Sequence, residues 1–348
     1  MDDKDIETVL RHFIKNVNIG SVEELGSGSI NSTFLALSDR GKYVVQSLNE
    51  VVFGDHLDGM EHNYRSFTRA LEFARKTEDI RLSVPEWIFD SDGRYIWTDK
   101  DHTAWRVYPY IKGEQLKCCK DHDTIGIFAR ALADMHHILK HYPGRPETVI
   151  PDFHRLDMYY SSYTDACELC DSSRRNKYCD MLIEENIKYV MGNYISDADS
   201  VIHGDTKIDN VLYDSESGTA SFIDMDTFMT GSPLIDISDS VRSILCGSDE
   251  NLDGITEESV DASVEVDLDG MERFIKAYYD ACGRVPSEEE KRALMLTIKR
   301  MPFELGLRFH TDHIRGNSYF PVKRDGQNLI RAKKQFCIFE ALKASEMI

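Results

Sequence analysis

The chain of 348 residues carries 61 acidic and 41 basic side chains, which gives a formal net charge of −20, and 41% of its residues are hydrophobic. This length exceeds one small core and predicts one large domain or two closely packed ones. The excess of acid argues against a surface for nucleic acid or anionic membranes, because both require a basic footprint.

Apolar segments of the kind that direct or anchor a chain in a membrane are absent from the sequence. No apolar segment follows Met1, and no run of about 18 apolar residues occurs. We therefore expect neither a secretory signal nor a membrane-spanning helix, and a cytoplasmic location. No feature specifies an oligomeric state, and we expect a monomer or weak dimer.

The N-terminal third combines short β-prone runs with one long amphipathic pattern. Apolar residues recur at helical spacing over residues 5–16 and 56–76, which predicts two helices. The β-prone runs predict strands over Thr33–Leu37, Lys42–Leu48, Pro85–Phe89, Tyr95–Thr98 and Trp105–Ile111. The turn before the first of these strands contains Gly26, Gly28 and Asn31.

The remainder of the chain is mainly helical in pattern. We predict helices over 123–140, most of 155–195, 271–282, 288–300 and 325–345, with Pro302 interrupting the pattern after residue 300. Residues 247–270 contain nine acids and no lysine or arginine, which is typical of a solvated or mobile loop. The change from strands to helices predicts an α+β, two-lobed architecture, with lobes at 1–107 and 108–348.

The polar string from His203 to Asp224 indicates chemistry. Asp205 is followed by Lys207 and Asn210, and a second β-prone run then ends at Asp224. Kinase-type phosphoryl transfer uses this order, because one carboxylate must accept a hydroxyl proton while an amide and a second carboxylate hold metal on the triphosphate. We predict Asp205 as the base, Asn210 and Asp224 as Mg²⁺ ligands, and Lys207 near the transferring phosphoryl group.

Two other interpretations of this string stay open. Aspartate, asparagine and glycine are common turn residues, so a lone His203-Gly204-Asp205 triplet would indicate only a β-turn. That interpretation does not explain why five polar positions fall at these offsets between apolar flanks. Asp226, which follows Asp224 closely, competes with it as the principal metal ligand.

These residues resemble the aminoglycoside phosphotransferase and choline kinase superfamily, which shares the protein kinase fold. The segments most similar to its N-acetylhexosamine 1-kinases are Gly204–Asn210, Ile223–Thr227, Asp236–Arg242, Leu305–Phe309, Thr311-Asp312 and Tyr319-Phe320. The resemblance implies a bilobal protein-kinase-like fold, with an antiparallel-sheet N-lobe and a mainly helical C-lobe. It also implies ATP as co-substrate, Mg²⁺ as cofactor, and N-acetylglucosamine or N-acetylgalactosamine as the sugar acceptor, phosphorylated at the anomeric hydroxyl.

The resemblance further implies roles in nucleotide binding. Gly26, Gly28 and Asn31 would lie over the phosphates, where glycine lets backbone amides approach closely. Tyr108 and Tyr110 would belong to the adenine-facing linker between the lobes. Gln46 stands where protein kinases place a phosphate-pairing lysine. Glutamine carries no charge, and we expect Lys207 to supply the missing one.

For the acceptor, the resemblance implies contacts from Asp205, Arg308, Asp312 and Tyr319. Arg308 and Asp312 are four residues apart and could instead pair along a helix. Asp236 is expected to brace the backbone of the catalytic loop.

Two alternatives to a sugar kinase remain open. Another acceptor, such as a different sugar, an aminoglycoside, choline or an amino alcohol, would keep the reaction but change the pocket, and the acid-rich 247–270 segment is compatible with a cationic acceptor. A non-catalytic nucleotide-binding regulatory module is suggested by Gln46, although the presence of Asp205, Asn210 and Asp224 together argues against it. The choice between ATP and GTP is also open.

Overall fold

A five-stranded antiparallel sheet forms the N-terminal part of the protein. The computed structural model describes residues 3–25, 31–117, 122–192, 199–245 and 254–345. The strands are β1 (Ile19–Glu24), β2 (Ser32–Ser38), β3 (Gly41–Ser47), β4 (Trp97–Thr98) and β5 (Ala104–Pro109). Their order in the sheet is β1-β2-β3-β5-β4, so β3 and β5 are direct neighbours.

Alternation along β3 and β5 gives the sheet two different faces. Val45 and Val107 pack on one face against helix α1 (Asp3–Phe13). Val44 and Tyr108 belong instead to the large central core, together with helix α3 (Leu57–Thr77) and the C-terminal elements. Gln46 and Arg106 share the face of Val44 and Tyr108, because side chains two positions apart along a strand point the same way.

Short helix α2 (Glu50–Phe53) precedes α3 in the N-terminal part. The C-terminal part is mainly helical. Its helices are α4 (His122–Leu139), α5 (Leu156–Leu169), α6 (Lys177–Gly192), α7 (Pro233–Leu245), α8 (Val260–Ser263), α9 (Leu268–Ala281), α10 (Glu288–Ile314) and α11 (Gln327–Ala344). Its described residues also form the short strands β6 (Glu114–Gln115), β7 (Ser200–Ile202), β8 (Val211–Asp214), β9 (Thr219–Phe222) and β10 (Met229–Gly231). The α+β class, with an antiparallel sheet before a helical region, is therefore confirmed. Strand β5 crosses the predicted boundary at residue 107 and ends at Pro109.

The predicted strand Pro85–Phe89 is wrong, and β4 is shorter than predicted. Pro85 has no N–H to donate to a ladder. The Tyr64 hydroxyl donates to the Pro85 carbonyl (2.7 Å) and accepts from the Trp87 amide (2.8 Å), so a side chain takes two backbone groups of this segment, while the Ile88 amide donates to the Val107 carbonyl of β5 (2.8 Å).

The predicted interruption at Pro302 is also wrong, because α10 continues through it to Ile314. Proline removes one helical hydrogen bond and crowds the preceding turn. Packing outweighs this cost here, since Met301, Phe303 and Leu307 are all buried. The continuous helix places Arg300, Glu304 and Arg308 at successive i, i+4 positions along one face.

The acid-rich segment is only partly a loop. Residues 246–253 lie outside the described residues, whereas α8 lies within the segment and buries Val260. Among the described helices, none is long and apolar enough to cross a membrane.

Candidate active site

The catalytic loop predicted from the sequence, residues 203–210, lies between β7 and β8. Asp236, at the start of α7, bonds to its backbone. The Asp236 carboxylate accepts hydrogen bonds from the backbone amides of His203 and Gly204, both at 2.8 Å, and contacts His136 Nε2 at 3.1 Å. The Thr206 hydroxyl donates to the Asp236 carbonyl. The expected bracing role of Asp236 is confirmed.

Gly204 is required by the backbone of this loop. Its φ angle is +88°, and a Cβ atom there would lie 2.9 Å from the Thr227 carbonyl oxygen. Any other residue would therefore be strained and would also push the loop away from Thr227. The next residue, Asp205, takes its direction from this turn.

Asp205 is surrounded by groups that favour its ionised form. Lys207 Nζ lies 3.3 Å from Asp205 Oδ2, and Asn210 Nδ2 donates to the same oxygen at 3.0 Å. Burial acts to raise the pKa of the Asp205 carboxyl, but the charges of Lys207 and His203 and the bond from Asn210 outweigh it and hold the pKa below its usual value. Asp205 is thus a carboxylate that is able to accept a proton.

Asp224 has the surroundings of a metal ligand. Its Oδ1 atom is buried and has no hydrogen-bond partner in the described part of the chain. Burial, followed by the nearby charges of Asp226 and Asp205, raises the pKa of Asp224 to about 7. A bound cation would supply the missing partner and favour the ionised carboxylate.

Asn210 complements Asp224. Its amide nitrogen bonds to Asp205, which leaves the amide oxygen without a hydrogen bond to any described residue. The Ile223 amide donates to the Asn210 carbonyl at 2.9 Å and keeps the two segments together. No group of three or more His, Cys, Asp or Glu side chains within the described ranges is arranged to hold a metal alone. Mg²⁺ fits this set, because it commonly takes one or two carboxylates and completes its shell with phosphates and water.

Asp226 is committed to other partners. Both of its oxygens accept hydrogen bonds from Arg106, one of them at 2.9 Å from Nη2, and Oδ2 also accepts from Asn31 Nδ2 at 3.1 Å. The geometry therefore favours Asp224 over Asp226 as the metal ligand.

The residues predicted to bind nucleotide fall at several places around this centre. Gly26 and Gly28 lie outside the described residues. Asn31 joins Asp226 to the Asn49 amide. Tyr108 is buried on the same face of the sheet as Arg106, and burial raises the pKa of its hydroxyl. Tyr110 is at the surface in the linker, and its amide donates to the Lys42 carbonyl at 2.9 Å.

Gln46 bonds to polar neighbours within the sheet. Its Nε2 donates to Thr33 Oγ1 at 3.0 Å, and its Oε1 accepts from Arg106 Nε at 2.8 Å. The charged neighbour of Gln46 is therefore Arg106, whereas Lys207 pairs with Asp205.

Arg308 lies in a group of aromatic rings beside the catalytic loop. Its guanidinium is 4.9 to 5.9 Å from the ring centres of Phe153, Tyr159, Tyr319 and Phe320. Burial acts to lower the pKa of Arg308, but nearby Tyr159 and Tyr319 and the carboxylates of Glu304 and Asp205 keep it raised. Arg308 donates no hydrogen bond to any described residue, so its N–H groups are available to a ligand.

Asp312 bonds to the segment that carries Tyr319 and Phe320. Its carboxylate accepts from the amides of Tyr319 (2.8 Å) and Phe320 (2.9 Å) and from Asn328 Nδ2 (2.9 Å). These bonds occupy the carboxylate, and it does not pair with Arg308. Asp312 therefore fixes the aromatic segment that surrounds Arg308.

Comparison with known proteins identifies the family and the fold of the chain. The pattern of the phosphotransferase enzyme family matches residues 21–265, which is more than half of the chain. The chain belongs to this family. Its fold is that of the protein-kinase-like phosphotransferases.

Solved structures of several phosphotransferases share this fold. Spectinomycin phosphotransferase in complex with ADP and spectinomycin is 13% identical with a TM-score of 0.59, covering 100% of this chain and 99% of that one. An aminoglycoside phosphotransferase in a ternary complex with AMP-PNP and hygromycin B is 13% identical with a TM-score of 0.60, covering 98% and 100%. A choline/ethanolamine kinase family protein from Mesorhizobium loti is 15% identical with a TM-score of 0.58, covering 94% and 89%.

Two features of this phosphotransferase were not predicted from its sequence. One is Arg106, whose signal was a single charge inside the apolar run of β5, since a charge buried in a strand must be paired. The other is a buried chain from α10 to the catalytic loop. His154 Nδ1 bonds to Glu304 and its Nε2 to the Gly204 carbonyl, at 2.8 and 2.7 Å. A carboxylate and a carbonyl only accept, so both ring nitrogens donate and His154 is cationic.

Proposed function

We propose that this protein is an ATP-dependent small-molecule kinase. The observation that carries the proposal is the presence of an ionised, hydrogen-bonded Asp205 in the loop after β7 together with Asp224 in the segment after β9, whose Oδ1 has no hydrogen-bond partner among the described residues. A kinase needs both groups, one to accept a proton and the other to hold metal on the nucleotide. A nucleotide-binding regulatory module without transfer activity would not need the proton acceptor.

In the proposed reaction Asp205 accepts the proton of the acceptor hydroxyl as the oxygen attacks the γ-phosphorus of ATP. The bond from that phosphorus to the β–γ bridging oxygen breaks, and ADP leaves. Mg²⁺ held by Asp224 and the Asn210 amide oxygen would offset the charge of the phosphates. Lys207, at 3.3 Å from Asp205, adds positive charge beside the transferring group.

We propose an N-acetylhexosamine as the acceptor, phosphorylated at its anomeric hydroxyl. A sugar combines an apolar ring face with many hydroxyl groups. The aromatic rings around Arg308 and the available N–H groups of its guanidinium suit both features. An anomeric hydroxyl is more acidic than an ordinary alcohol, so a carboxylate with a low pKa, such as Asp205, suffices as the base.

The positive charge of Arg308 also separates this proposal from its main rival. The solved neighbours include complexes with spectinomycin and hygromycin B, and a choline/ethanolamine kinase family protein. A cationic acceptor would approach a guanidinium that is already partly desolvated, and this like-charge contact is unfavourable. A neutral acceptor avoids it.

An acceptor panel tests this proposal. ATP consumption is measured with N-acetylglucosamine, N-acetylgalactosamine, unsubstituted hexoses, choline and aminoglycosides, each with and without Mg²⁺, and products are identified by ³¹P NMR. We expect Mg²⁺-dependent formation of the sugar 1-phosphate from the N-acetylhexosamines. Transfer only to a cationic acceptor would overturn the choice of acceptor, and no transfer to any would overturn the kinase assignment.

A further inference from the structure

Arg106 is a buried charge in the middle of the sheet. Its side chain is 1% exposed and lies between the ring of Trp87, whose centre is 4.5 Å from the guanidinium carbon, and the carboxylate of Asp226. Asp226 is 3% exposed. Two charges removed from water to this extent are tolerated only when they are paired and their remaining hydrogen-bonding groups are satisfied.

The hydrogen bonds of Arg106 account for Gln46. The two residues are register partners on β5 and β3, and Arg106 Nε donates to Gln46 Oε1 at 2.8 Å. A lysine at position 46 has no acceptor atom and would bring a second cation against the guanidinium. Glutamine offers an acceptor to Arg106 and a donor to Thr33. Glutamine at position 46 therefore suits a sheet in which the buried cation is Arg106 of β5 and not a lysine of β3.

Asp226 links Arg106 to the segment that contains Asp224. It is close in the chain to Asp224, and it also accepts from Asn31, whose Oδ1 accepts the Asn49 amide at 3.0 Å. The contact therefore joins the N-terminal sheet, the start of β2 and the segment that carries the proposed metal ligand. The described hydrogen bonds of Arg106 to oxygen atoms go to Gln46 and Asp226, and Nη1 also donates to the Met60 sulfur at 3.9 Å, so Arg106 acts on the proposed nucleotide site through Asp226.

We infer that Arg106 is a positioning residue that supplies, from β5, the positive charge that the sheet lacks at Gln46. By neutralising Asp226 it removes one of three neighbouring carboxylates from the charge around the metal position, and it holds the Asp224 segment against the sheet. This inference rests on the proposed function, because it assigns Arg106 a part in binding the Mg²⁺–nucleotide complex.

The test moves the charge from one strand to the other. Arg106→Gln, Gln46→Lys and the double variant are compared with the wild type by the Mg²⁺-dependent affinity for ADP, measured by calorimetry, and by melting temperature. We expect Arg106→Gln to weaken Mg²⁺–ADP binding at least tenfold. Gln46→Lys alone should give no gain. In the double variant the lysine ammonium can reach Asp226 through the space left by the guanidinium, and most of the affinity should return.

Arg94→Gln is the matched control. It breaks the pair of Arg94 with the buried Glu61 (3.0 Å) in the same lobe without touching Asp226, and it should lower the melting temperature while leaving the ADP affinity within twofold. The inference is overturned if folded Arg106→Gln binds Mg²⁺–ADP like the wild type, or if the folded double variant regains no affinity. Should Arg106→Gln not fold, the double variant alone decides. A wild type that fails to bind Mg²⁺–ADP would instead overturn the proposed function.

Discussion

At the scale of single residues, Asp224 and Asp226 lie close together in the chain but have opposite surroundings. Asp226 has a full set of donors, whereas Asp224 has a buried oxygen without a partner and two carboxylates nearby. Sites arranged for function often store such unfavourable contacts. The two residues should therefore respond to substitution in different ways.

Asp224→Asn is expected to raise the melting temperature of the protein without nucleotide, because it removes one of three like charges while keeping the shape of the side chain. The same change should abolish Mg²⁺-dependent ADP binding. Asp226→Asn should lower the melting temperature, since it leaves Arg106 buried with a weaker partner. Thermal unfolding and calorimetry of both variants check this. If Asp226→Asn lost metal-dependent binding while Asp224→Asn kept it, the two assignments would be exchanged.

Arg308 gives the second prediction at this scale. Arg308→Ala should raise the KM for the acceptor more than tenfold and leave the KM for ATP nearly unchanged, because its N–H groups face the proposed acceptor rather than the nucleotide. Arg315→Ala is the control, since Arg315 directly follows the last residue of the same helix and donates to the Ser162 carbonyl at the surface. Equal changes in both KM values, or a lower melting temperature alone, would make Arg308 a structural residue.

At the scale of elements, α10 and α11 approach each other closely at Gly306. A Cβ atom on Gly306 would lie 2.9 to 3.1 Å from three ring atoms of the buried Phe336. Overpacking by Gly306→Ala should therefore cost about 1–3 kcal/mol in the free energy of unfolding, and the gain in helix propensity of about 0.8–1 kcal/mol offsets part of this cost. Gly126→Ala in α4 is the control, because its Cβ would meet no atom within 4 Å, and it should stabilise by about 0.8–1 kcal/mol through helix propensity. Denaturant unfolding measures both, and a Gly306→Ala variant as stable as the Gly126→Ala variant would contradict this packing.

The connection from α10 through His154 to the catalytic loop predicts a pH dependence. Burial opposes both charges, but Glu304 and the Gly204 carbonyl raise the pKa of His154 above 6.5, and Arg300 and His154 lower the pKa of Glu304 to about 2. The raised pKa of His154 stabilises the folded protein fully below pH 6.5. This stabilisation is lost as the pH rises through the pKa that His154 has in the folded protein. The lowered pKa of Glu304 stabilises the folded protein fully above pH 4.5, and this stabilisation is lost as the pH falls towards the lowered pKa.

Glu304→Gln should therefore cost most stability between about pH 4.5 and 6.5, where both groups are charged. The difference in free energy of unfolding from the wild type, measured by urea unfolding across pH, should shrink on either side of this window. A difference that is independent of pH would show that the pair contributes by packing alone.

At the scale of the whole molecule, the sequence predicted correctly the elements whose structure depends mainly on residues close together in the chain. Helical spacing was sufficient for α3 and α4, and the order of polar residues was sufficient for the loop that carries Asp205. The pair of Arg106 and Asp226 joins residues 120 positions apart, and no local pattern specifies such a contact. The strand predicted over residues 85–89 and the interruption predicted at Pro302 were wrong because contacts distant in the chain decide both segments: the Tyr64 hydroxyl bonds to the first, and core packing keeps α10 continuous.

The measurement that tests the central claim most directly is the turnover number of Asp205→Asn with ATP and an N-acetylhexosamine, together with its affinity for Mg²⁺–ADP. Asparagine keeps the size of the side chain but cannot accept the proton, so turnover should fall by about 10²- to 10⁴-fold while nucleotide binding persists. Asp209→Asn, in the same loop, controls for the loss of one negative charge. Near-normal turnover of Asp205→Asn would contradict the account.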